Sequence, residues 1–527
     1  MRTRRRGRSA AVWRALAHER ATSFSRARDD RPRPWQDVDI TPSKKRTGLV
    51  ACIFIAACGP GLGAETTVEP ATSTGDADGS GSAATDTADD PDETTTATEP
   101  TGDTPTGDGP TGEPGDCSEL AIADPGLLAA VREALDTPEG PISGEAALSI
   151  ISLTPMQPVQ SLSGIECLLG LQRLMFYETT VTDLEPLAAL SELRDLDVGS
   201  SGVVDLGPLV GLPLRSLRLV DAPLADLGPI AQLPQLEYLH LWDTQVEDLT
   251  PLTGHPSLLA FGLKGSHPQS LAPIASIPTL LSLQLEGCGL TSVEALSVLP
   301  ALETLAIADN QLTDLSGLAG MSALNLLWAS NNQIGDLTAL AGLKGLEGAE
   351  LDHNQIVDLG PLSGATGLTR LTLSANGISD LTPLAGATKL NILIVDDNPL
   401  TGLQGLESLD LGMLKAANTG LKELPVLAPQ VLNHLDLTNN HITDVTAIAG
   451  HVALDEVLLA NNKIVDLGPI AQAPWLLAGC AVLDVLANPL DATTAATTLP
   501  AMCEHDLKAT WDQGSCAPDE GICDLPI

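Results

Sequence analysis

The side chains best suited to binding chemistry form one small group near the middle of the sequence. Tyr238, His240 and Trp242 alternate along a predicted strand, so their side chains should share one face of that strand. Arg218 stands at the matching position of the predicted strand before His240, and Lys264 at the matching position of the strand after Trp242. Aromatic and arginine side chains contribute much of the binding energy at protein interfaces, and a local positive charge accompanies them here. We predict that these residues contact a partner, although incidental surface side chains are the open alternative.

The chain lacks the sequence motifs that would indicate catalysis. It contains no Gly-x-Ser-x-Gly elbow, no Gly-Lys pair of a phosphate-binding loop and no His-Glu-x-x-His metal helix. Only about 37 residues follow Leu490, which is too short for a second catalytic domain. The sequence therefore predicts a protein that is not an enzyme and needs no cofactor, and an unrecognised hydrolase is the least favoured alternative.

One pattern repeats through most of the chain and supplies the elements that would position the binding residues. It is clearest in Leu302-x-x-Leu305-x-Ile307-x-x-Asn310-x-Leu312-x-Asp314-Leu315-x-x-Leu318. Eleven of the fifteen intervals between successive Asn positions share one length of about 22 residues. Each unit should form a strand, a turn and a return segment, and neighbours must stack because no unit buries its own leucines. The Asn positions are Gln157, Thr179, Ser201, Ala222, Thr244, Ser266, Cys288, Asn310, Asn332, Asn354, Asn376, Asn398, Thr419, Asn440, Asn462 and Asn488.

The other recurring residues have structural explanations. The Asn side chain should point inward and bond the backbone of the adjacent unit. An Asp four residues later should bind turn backbone, and a Pro seven residues later suits the first turn of a short 3₁₀ or α return helix, where a missing N–H costs nothing. The Asp residues are Asp183, Asp205, Asp226, Asp248, Asp314, Asp336, Asp358, Asp380, Asp444 and Asp466, and the Pro residues are Pro186, Pro208, Pro229, Pro251, Pro273, Pro361, Pro383 and Pro469.

The pattern Asn-x-Ile/Leu-x-Asp-Leu-x-Pro-Leu, followed by small residues and a new Leu, resembles the repeat of internalins and of phosphatase-regulator-type leucine-rich repeat proteins, which has the same length. The resemblance covers roughly residues 150–490. It implies an α/β solenoid, a horseshoe or arc with a concave parallel sheet and short 3₁₀ or α return segments, which binds partners on the concave face.

The segment before the repeats resembles the helical N-terminal cap of bacterial members of that family. Its residues support a helix independently. Asp124 can serve as the N-cap and Pro125 as the first helical residue, while Leu127, Val131 and Leu135 recur on one face.

Alternation along the predicted strands extends the binding face. Residues six, four and two before each Asn position should face the concave surface together. Half of the eight aromatic residues after Cys58 fall at such positions, namely Tyr177, Tyr238, Trp242 and Trp328. Because only 2% of all residues are aromatic, this placement adds Tyr177 and Trp328 to the predicted ligand-binding residues.

A second group on this face is acidic. Glu350, Asp352, His353, Asp396 and Asp397 fall on the later repeats of the array. Carboxylates so placed could hold a cation. A solvated acidic face is the favoured interpretation, and no metal site is predicted.

The N-terminal region resembles a bacterial lipoprotein signal. A basic stretch at residues 44–46 precedes a short apolar run from Leu49 to Ala57, which ends in the small residues directly before Cys58. The resemblance implies cleavage before Cys58 and acylation of its thiol. The alternative is a transmembrane helix, but about ten apolar residues are too few for a span that needs about 20.

Charge is distributed very unevenly. The chain carries a net charge of −41, although 14 of its 27 basic residues lie within residues 1–46. Residues 59–116 contain no Lys or Arg and 14 acidic residues, so they should form a flexible linker rather than a core. Such an acidic chain is not expected to bind nucleic acid.

Seven cysteines remain after Cys52 and Cys58 are set aside. Cys288 stands at an Asn position and should be a buried free thiol. The other six lie near the two ends of the array, where disulfides would be permitted by an exported setting, and their pairing is left open. Zinc is disfavoured at the C-terminal end because the cysteines there lack paired knuckles. The six are Cys117, Cys167, Cys480, Cys503, Cys516 and Cys523.

These patterns divide the chain and predict its role. The predicted function is binding of a protein partner, with a glycan as an alternative ligand, outside the cytoplasm at the cell envelope. A lipid anchor would hold the protein to a membrane, with the outer membrane or cell surface favoured. An envelope scaffold without a specific ligand is the second hypothesis.

The predicted segments are a signal region with a long basic leader (1–57), the anchor cysteine and linker (58–116), a helical cap (117–152), an array of about 15 repeats (153–490) and a Cys-containing C-terminal cap (491–527).

Overall fold

The computed structural model describes residues 117–176, 179–424, 427, 431–477 and 480–517. The predictions for segments 1–57 and 58–116, including lipidation of Cys58, lie outside the described residues. Tyr177 and Cys523 lie outside them as well.

A helical cap stands before the repeats. Helix α1 (Pro125–Ala134) begins after Asp124, whose carboxylate accepts a hydrogen bond from the backbone N–H of Leu127 at 2.9 Å. The same carboxylate accepts the N–H of Gln160 at 2.8 Å and so joins the helix to the chain that follows. Leu127 and Val131 are fully buried against the first repeats. The predicted start of the cap helix is confirmed, and so is the burial of Leu127 and Val131, whereas Leu135 caps the end of the helix and is only half-buried.

The repeats build one sheet of 18 strands, in which each strand pairs with the strand of the next repeat. All pairs from β1 to β17 are parallel, and only β18 runs antiparallel to β17. The strands are β1 (Ser152–Leu153), β2 (Arg173–Phe176), β3 (Asp195–Val198), β4 (Ser216–Val220), β5 (Tyr238–Trp242), β6 (Ala260–Lys264), β7 (Ser282–Gln284), β8 (Thr304–Ala306), β9 (Leu326–Trp328), β10 (Gly348–Glu350), β11 (Arg370–Thr372), β12 (Ile392–Ile394), β13 (Met413–Lys415), β14 (His434–Asp436), β15 (Glu456–Leu458), β16 (Val482–Asp484), β17 (Lys508–Trp511) and β18 (Gly514–Cys516).

The core lies behind this sheet and is almost entirely aliphatic. Leu217, Leu239 and Phe261 are paired in register on β4, β5 and β6, and each is at most 1% exposed. Leucines of the return segments close the core from the other side. Because each repeat supplies only part of a core, its stability depends on the repeats next to it.

Short helices return the chain to the start of the next strand. The eight predicted Pro residues all lie in the first turn of such a helix. The α-helices after α1 are α2 (Gly144–Ala147), α3 (Ala272–Ala275), α4 (Pro474–Leu477) and α5 (Leu499–Met502), with a π-helix at Thr494–Thr498. The 3₁₀ segments are Ile165–Cys167, Glu185–Leu187, Gly207–Leu209, Gly228–Gln232, Thr250–Leu252, Glu294–Val298, Ser316–Leu318, Thr338–Leu340, Gly360–Gly364, Thr382–Gly386, Thr446–Ile448, Gly468–Ile470 and Cys503–His505.

The recurrent Asp residues fix the start of these return segments. Asp205, for example, accepts a hydrogen bond from the backbone N–H of Gly207 at 2.7 Å. All ten predicted Asp residues make the same bond to the N–H two residues later. Their predicted role in binding turn backbone is confirmed.

The inward side chains at the Asn positions, which we call the Asn ladder, join neighbouring repeats inside the solenoid. Asn354 donates from its amide nitrogen to the carbonyl of Ala329 in the preceding repeat at 3.0 Å and to that of Leu351 in its own repeat at 3.0 Å. Its amide oxygen accepts the N–H of Ile334 at 3.0 Å. The inward orientation predicted for the Asn side chains is confirmed, whereas Gln157, at the first of these positions, is exposed. Thr244 and Ser266 replace the amides with a hydroxyl pair at 3.0 Å.

Disulfides are found at both ends of the array. Cys117 bonds Cys167 at the N-terminal cap, and Cys503 bonds Cys516 at the C-terminal cap. Cys480 is also disulfide-bonded. Cys288 is the buried free thiol predicted from its ladder position, and burial raises its pKa to about 12.

Candidate functional site

Strand register places five of the predicted binding residues side by side on the outward face of the sheet. On β5, Leu239 and Leu241 are fully buried, whereas Tyr238 is 38% exposed and the two other alternating side chains are half-buried. Arg218 is paired in register with His240, and Trp242 with Lys264. We call Arg218, Tyr238, His240, Trp242 and Lys264 the β5 cluster.

Arg218 is the centre of this cluster. Its guanidinium carbon lies 4.6 Å from the centroid of the Trp242 ring, a cation–π contact. One guanidinium nitrogen also reaches both carboxylate oxygens of Asp197 on β3, at 2.9 Å and 3.1 Å. The positive charge that the sequence indicated is therefore balanced by Asp197. The arginine acts mainly as a clamp that holds the indole ring in place.

His240 and Gly262 complete the packing around the indole. The rings of His240 and Trp242 meet edge to face, with centroids 6.0 Å apart. A Cβ atom at Gly262 would lie 2.8 Å from the Cδ2 atom of His240 and 3.2 Å from the indole nitrogen of Trp242. Only glycine leaves room for both rings to lie over β6, so this residue is part of the site even though it presents no side chain.

The electrostatics of the cluster follow from this packing. Burial, together with the charge of Arg218, lowers the pKa of His240 to about 4, so its imidazole is neutral at pH 7. Burial raises the pKa of Asp197, and the attraction of Arg218 opposes that rise. The indole nitrogen of Trp242 is buried and has no hydrogen-bond partner among the described residues. The centre of the cluster thus combines two aromatic rings with an ion pair whose charges balance.

The remaining predicted site residues lie at different distances from this centre. Lys264 is exposed beside Glu286; burial raises the pKa of Glu286, and the positive charge of Lys264 opposes that rise. Trp328 is half-buried on β9, four strands away from β5. Tyr177 lies outside the described residues. The structure therefore brings together the five residues of the β5 cluster and places Trp328 at a separate position on the same face.

Sequence reasoning missed two members of the site. Asp197 stands at the same strand position as Arg218, one repeat earlier, so the repeat register could have indicated the pair. Gly262 follows His240 by one repeat at the same strand position. A glycine beside two large rings is the signal that could have been used.

The acidic group further along the face uses its carboxylates internally. Asp352 accepts the backbone N–H of Ser374 at 2.7 Å and contacts the hydroxyl of Thr372. Asp396 accepts the N–H of Ala417 at 2.7 Å. Within the described ranges, no three His, Cys, Asp or Glu side chains are grouped to hold a metal ion. These two carboxylates therefore join the chain after β10 and after β12 to the next repeat.

Comparisons with known proteins agree with this fold. A profile described as leucine-rich repeats, in two copies, matches residues 300–342. No curated protein matches the sequence significantly. Among solved structures, an internalin from Listeria monocytogenes is 29% identical, covers 64% of this chain and 96% of its own, and has a TM-score of 0.55.

Two further structures show the same architecture at lower identity. A leucine-rich repeat protein from Leptospira interrogans is 21% identical over 69% of this chain and 91% of its own, with a TM-score of 0.57. The functional domain of another L. monocytogenes internalin, described as including a cysteine ladder, is 22% identical over 69% of this chain and 80% of its own, with a TM-score of 0.54. The predicted fold class, a leucine-rich repeat solenoid with a concave parallel sheet, is confirmed. No helix in the described part of the chain is both long and apolar enough to cross a membrane.

Proposed function

We propose that this protein is a non-enzymatic binding module outside the cytoplasm, and that it recognises a protein partner through the β5 cluster on its concave sheet. The observation that supports the proposal is the locked arrangement of Trp242 between Arg218, His240 and Gly262. Tryptophan and arginine are among the residues most enriched at binding hot spots. Rings that are already fixed lose little conformational entropy when a partner binds, so more of the contact energy appears as affinity.

A catalytic role for the cluster is not supported by its geometry. A nucleophilic mechanism requires a base within hydrogen-bond reach of a hydroxyl or thiol. His240 packs instead against the Trp242 ring, and its lowered pKa makes it a weak base. Leucine-rich repeats also serve generally as interaction scaffolds, as the similarity to internalins suggests.

The pair closest to an acid–base dyad lies elsewhere on the face. His434 on β14 contacts Glu456 on β15, with 2.7 Å between Nδ1 and the carboxylate oxygen. Its other ring nitrogen is buried and has no hydrogen-bond partner among the described residues, so no described hydroxyl or thiol is bonded to it. The His434–Glu456 pair therefore does not support a hydrolase function.

The N-terminal region would place this binding module at the cell envelope. In our proposal, Cys58 carries the lipid and residues 59–116 connect it to the repeats. A flexible chain of this length has a root-mean-square span of roughly 40–45 Å, and repulsion among its 14 acidic residues would extend it. The concave face would then be held clear of the membrane surface and open to large partners.

Site-specific photo-crosslinking in the producing cells tests the proposal. A photoreactive phenylalanine analogue at Tyr238, which is exposed on β5, should capture a partner protein. The same analogue at Lys422, which is exposed and lies outside the strands, is the matched control. Capture of the same protein from both positions, or from Lys422 alone, would contradict binding at the β5 cluster. Capture of nothing from Tyr238 would favour a scaffold without a specific ligand.

A further inference from the structure

One junction between repeats lacks hydrogen bonds that a regular junction has. The junction between the β10 and β11 repeats is regular, because the amide nitrogen of Asn376 donates to the carbonyl of Leu351 in the preceding repeat at 3.0 Å. The amide oxygen of Asn376 accepts the N–H of Ile356 at 2.9 Å, and the N–H of Gly377 donates to the carbonyl of Ile356 at 2.8 Å. Three bonds made by the Asn ladder and its turn therefore cross this junction.

The junction between the β12 and β13 repeats has none of the three corresponding bonds, although residues 395–424 are all described. Thr419 occupies the ladder position here, and its hydroxyl donates to the carbonyl of Ala416 in its own repeat at 2.9 Å. The same hydroxyl bonds the amide oxygen of Asn440 in the following repeat at 2.9 Å. In this described stretch, the ladder side chain therefore does not bond the preceding repeat.

The backbone at this junction is arranged as it is at the end of the array. The N–H of Leu400 donates to the carbonyl of Asn398, two residues earlier, at 2.9 Å. The same local bond joins Leu490 to Asn488 at 2.8 Å, where the ladder ends because no further ladder residue follows. The Asn ladder therefore has an internal end between β12 and β13.

The return segment after β12 is also irregular. Residues 395–412, all of which the structure describes, contain no helix. The two preceding repeats have 3₁₀ return segments at Gly360–Gly364 and Thr382–Gly386. The row of short return helices that packs along the array is therefore interrupted at the same junction.

A shortened repeat does not by itself cause this break. An interval of 21 residues also separates Thr419 from Asn440, yet Asn440 donates across its junction to the carbonyl of Ala416 at 2.8 Å. The junction between the repeats of Ser201 and Ala222 also lacks an amide, but it has return segments Gly207–Leu209 and Gly228–Gln232 on its two sides. The loss of ladder bonds coincides with the loss of a return helix between β12 and β13.

We propose that this junction is a breakpoint, at which strands β13 to β18 open and reclose as one unit while the repeats before them stay folded. We call β13 to β18 the C-terminal block. In a repeat array, stability is approximately a sum of contributions from single repeats and from the interfaces between neighbours. Opening is therefore least costly where an interface is weakest, and it involves everything beyond that interface. This inference does not depend on the proposed function.

The remaining contacts keep the two parts together in the native state. Leu393 on β12 and Leu414 on β13 are paired in register and fully buried, and Asp396 accepts the N–H of Ala417 at 2.7 Å. The disulfide between Cys503 and Cys516 lies within the C-terminal block and does not tie it to the earlier repeats. Because the β5 cluster lies in the earlier repeats, it stays assembled when the C-terminal block opens.

Native-state hydrogen exchange of the full chain, followed by mass spectrometry in urea concentrations below the unfolding transition, tests the breakpoint. We expect peptides from β13 to β16 to lose protection together, with protection factors at least about tenfold lower than those of β9 to β12. The step should fall between β12 and β13. Uniform protection of both parts, or a gradual decrease toward the C-terminal end without a step, would overturn the proposal.

Thr419→Asn tests the cause of the step. By analogy with Asn440, the new amide would reach the carbonyl of Val395 and the N–H of Leu400, and it should reduce the step about tenfold. Thr438→Asn makes the same exchange at a half-buried outward position and should leave the step unchanged. Thermal unfolding shows whether the variants fold, and the wild-type step remains decisive if Thr419→Asn does not. An unchanged step in a folded Thr419→Asn protein would overturn the role given to the ladder.

Discussion

At the scale of single residues, Trp242 owes its orientation to neighbours on three strands. Arg218 on β4 covers its ring, His240 on β5 meets it edge to face, and Gly262 on β6 leaves the space in which both rings lie. Asp197 on β3 holds Arg218 in turn. A surface tryptophan without such contacts would sample several rotamers and would lose that freedom on binding.

Gly262→Ala should disturb this arrangement directly. The added methyl group would lie 2.8 Å from His240 and 3.2 Å from the Trp242 nitrogen, so at least one ring must move. We expect a loss of about 1–3 kcal/mol in unfolding free energy, as in other overpacked sites, and a change in tryptophan fluorescence. Denaturant unfolding and fluorescence spectra measure both.

Gly364→Ala is the matched control, because a Cβ atom there meets nothing within 4 Å. Its unfolding free energy should stay within about 0.5 kcal/mol of the wild-type value. If the two variants behaved alike, the tight packing assigned to Gly262 would be wrong.

Buried neutral histidines should make the protein less stable in mild acid. Burial lowers the pKa values of His240, His255 and His451 below the value of 6.5 expected in the unfolded chain. The unfolded state therefore binds more protons as the pH falls below 6.5, and the free energy of unfolding decreases. For His240, with a folded pKa of about 4, the loss between pH 7 and pH 5 is about 2 kcal/mol.

Urea unfolding at pH 7 and pH 5 checks this dependence. His255 occupies a core position that other repeats fill with Leu299 or Leu343, so His255→Leu should weaken the pH dependence. His267→Leu, at an exposed histidine, is the control. An undiminished pH dependence in His255→Leu would show that this ring does not contribute.

At the scale of elements, the Asn ladder is the feature that fixes one repeat against the next. Each ladder amide reaches backbone groups of its own repeat and of the preceding one, as Asn354 does with Leu351 and Ala329. The backbone groups at the turn after each strand lie beyond the strand–strand hydrogen bonds of the sheet. The buried amide pairs them without water.

Asn354→Leu should therefore be strongly destabilising. It leaves the N–H of Ile334 without its partner, at about 1–3 kcal/mol. It also removes one of two amide donors from each of the carbonyls of Ala329 and Leu351, which keep those of Asn332 and Asn376. Equilibrium unfolding in urea gives the loss. Asn433→Leu, at an exposed position in the same type of repeat, should have little effect. Equal midpoints for the two variants would contradict the inward role of Asn354.

Three features were predictable because each recurs in many repeats: the Asn ladder, the Asp residues that bind turn backbone and the Pro residues that begin return helices. The same spacing in every repeat indicates the same geometry. The β5 cluster was predictable only in part. Register shows that Arg218 lies beside His240, but it does not show whether a long flexible side chain turns toward Asp197 on one strand or Trp242 on another. In the structure Arg218 contacts both. Cysteine pairing was undetermined for the same reason, since it depends on three-dimensional distances.

At the scale of the whole molecule, charge and attachment set the conditions for binding. Residues 47–527 carry a net charge of −50, so an acidic partner would be repelled from most of the surface. The β5 cluster, in which the charges of Arg218 and Asp197 balance, provides a less charged area on an otherwise acidic protein. A partner with a neutral contact segment would meet the least repulsion there.

The proposed anchor has a direct chemical test. If residues 1–57 are a lipoprotein signal, mass spectrometry of the mature protein should find an N-terminal Cys58 with a mass increase from attached acyl chains. Cys58→Ser should abolish this modification and release the protein from the membrane fraction. A mature chain that begins at another residue, or an unmodified Cys58, would contradict the proposed lipid anchor.

The most direct test of the central claim is the affinity of the crosslinked partner, once isolated, for the Trp242→Ala protein. Truncating a tryptophan at the centre of an interface commonly costs about 2 kcal/mol or more, which corresponds to a weakening of about 30-fold. The outward side chain should be removable without unfolding the repeats, and thermal unfolding checks this. Asp436→Ala, far along the same face on β14, is the control and should bind nearly as the wild type does. We predict a dissociation constant raised about 30-fold or more for Trp242→Ala alone, whereas equal affinities for the two variants would contradict binding at the β5 cluster.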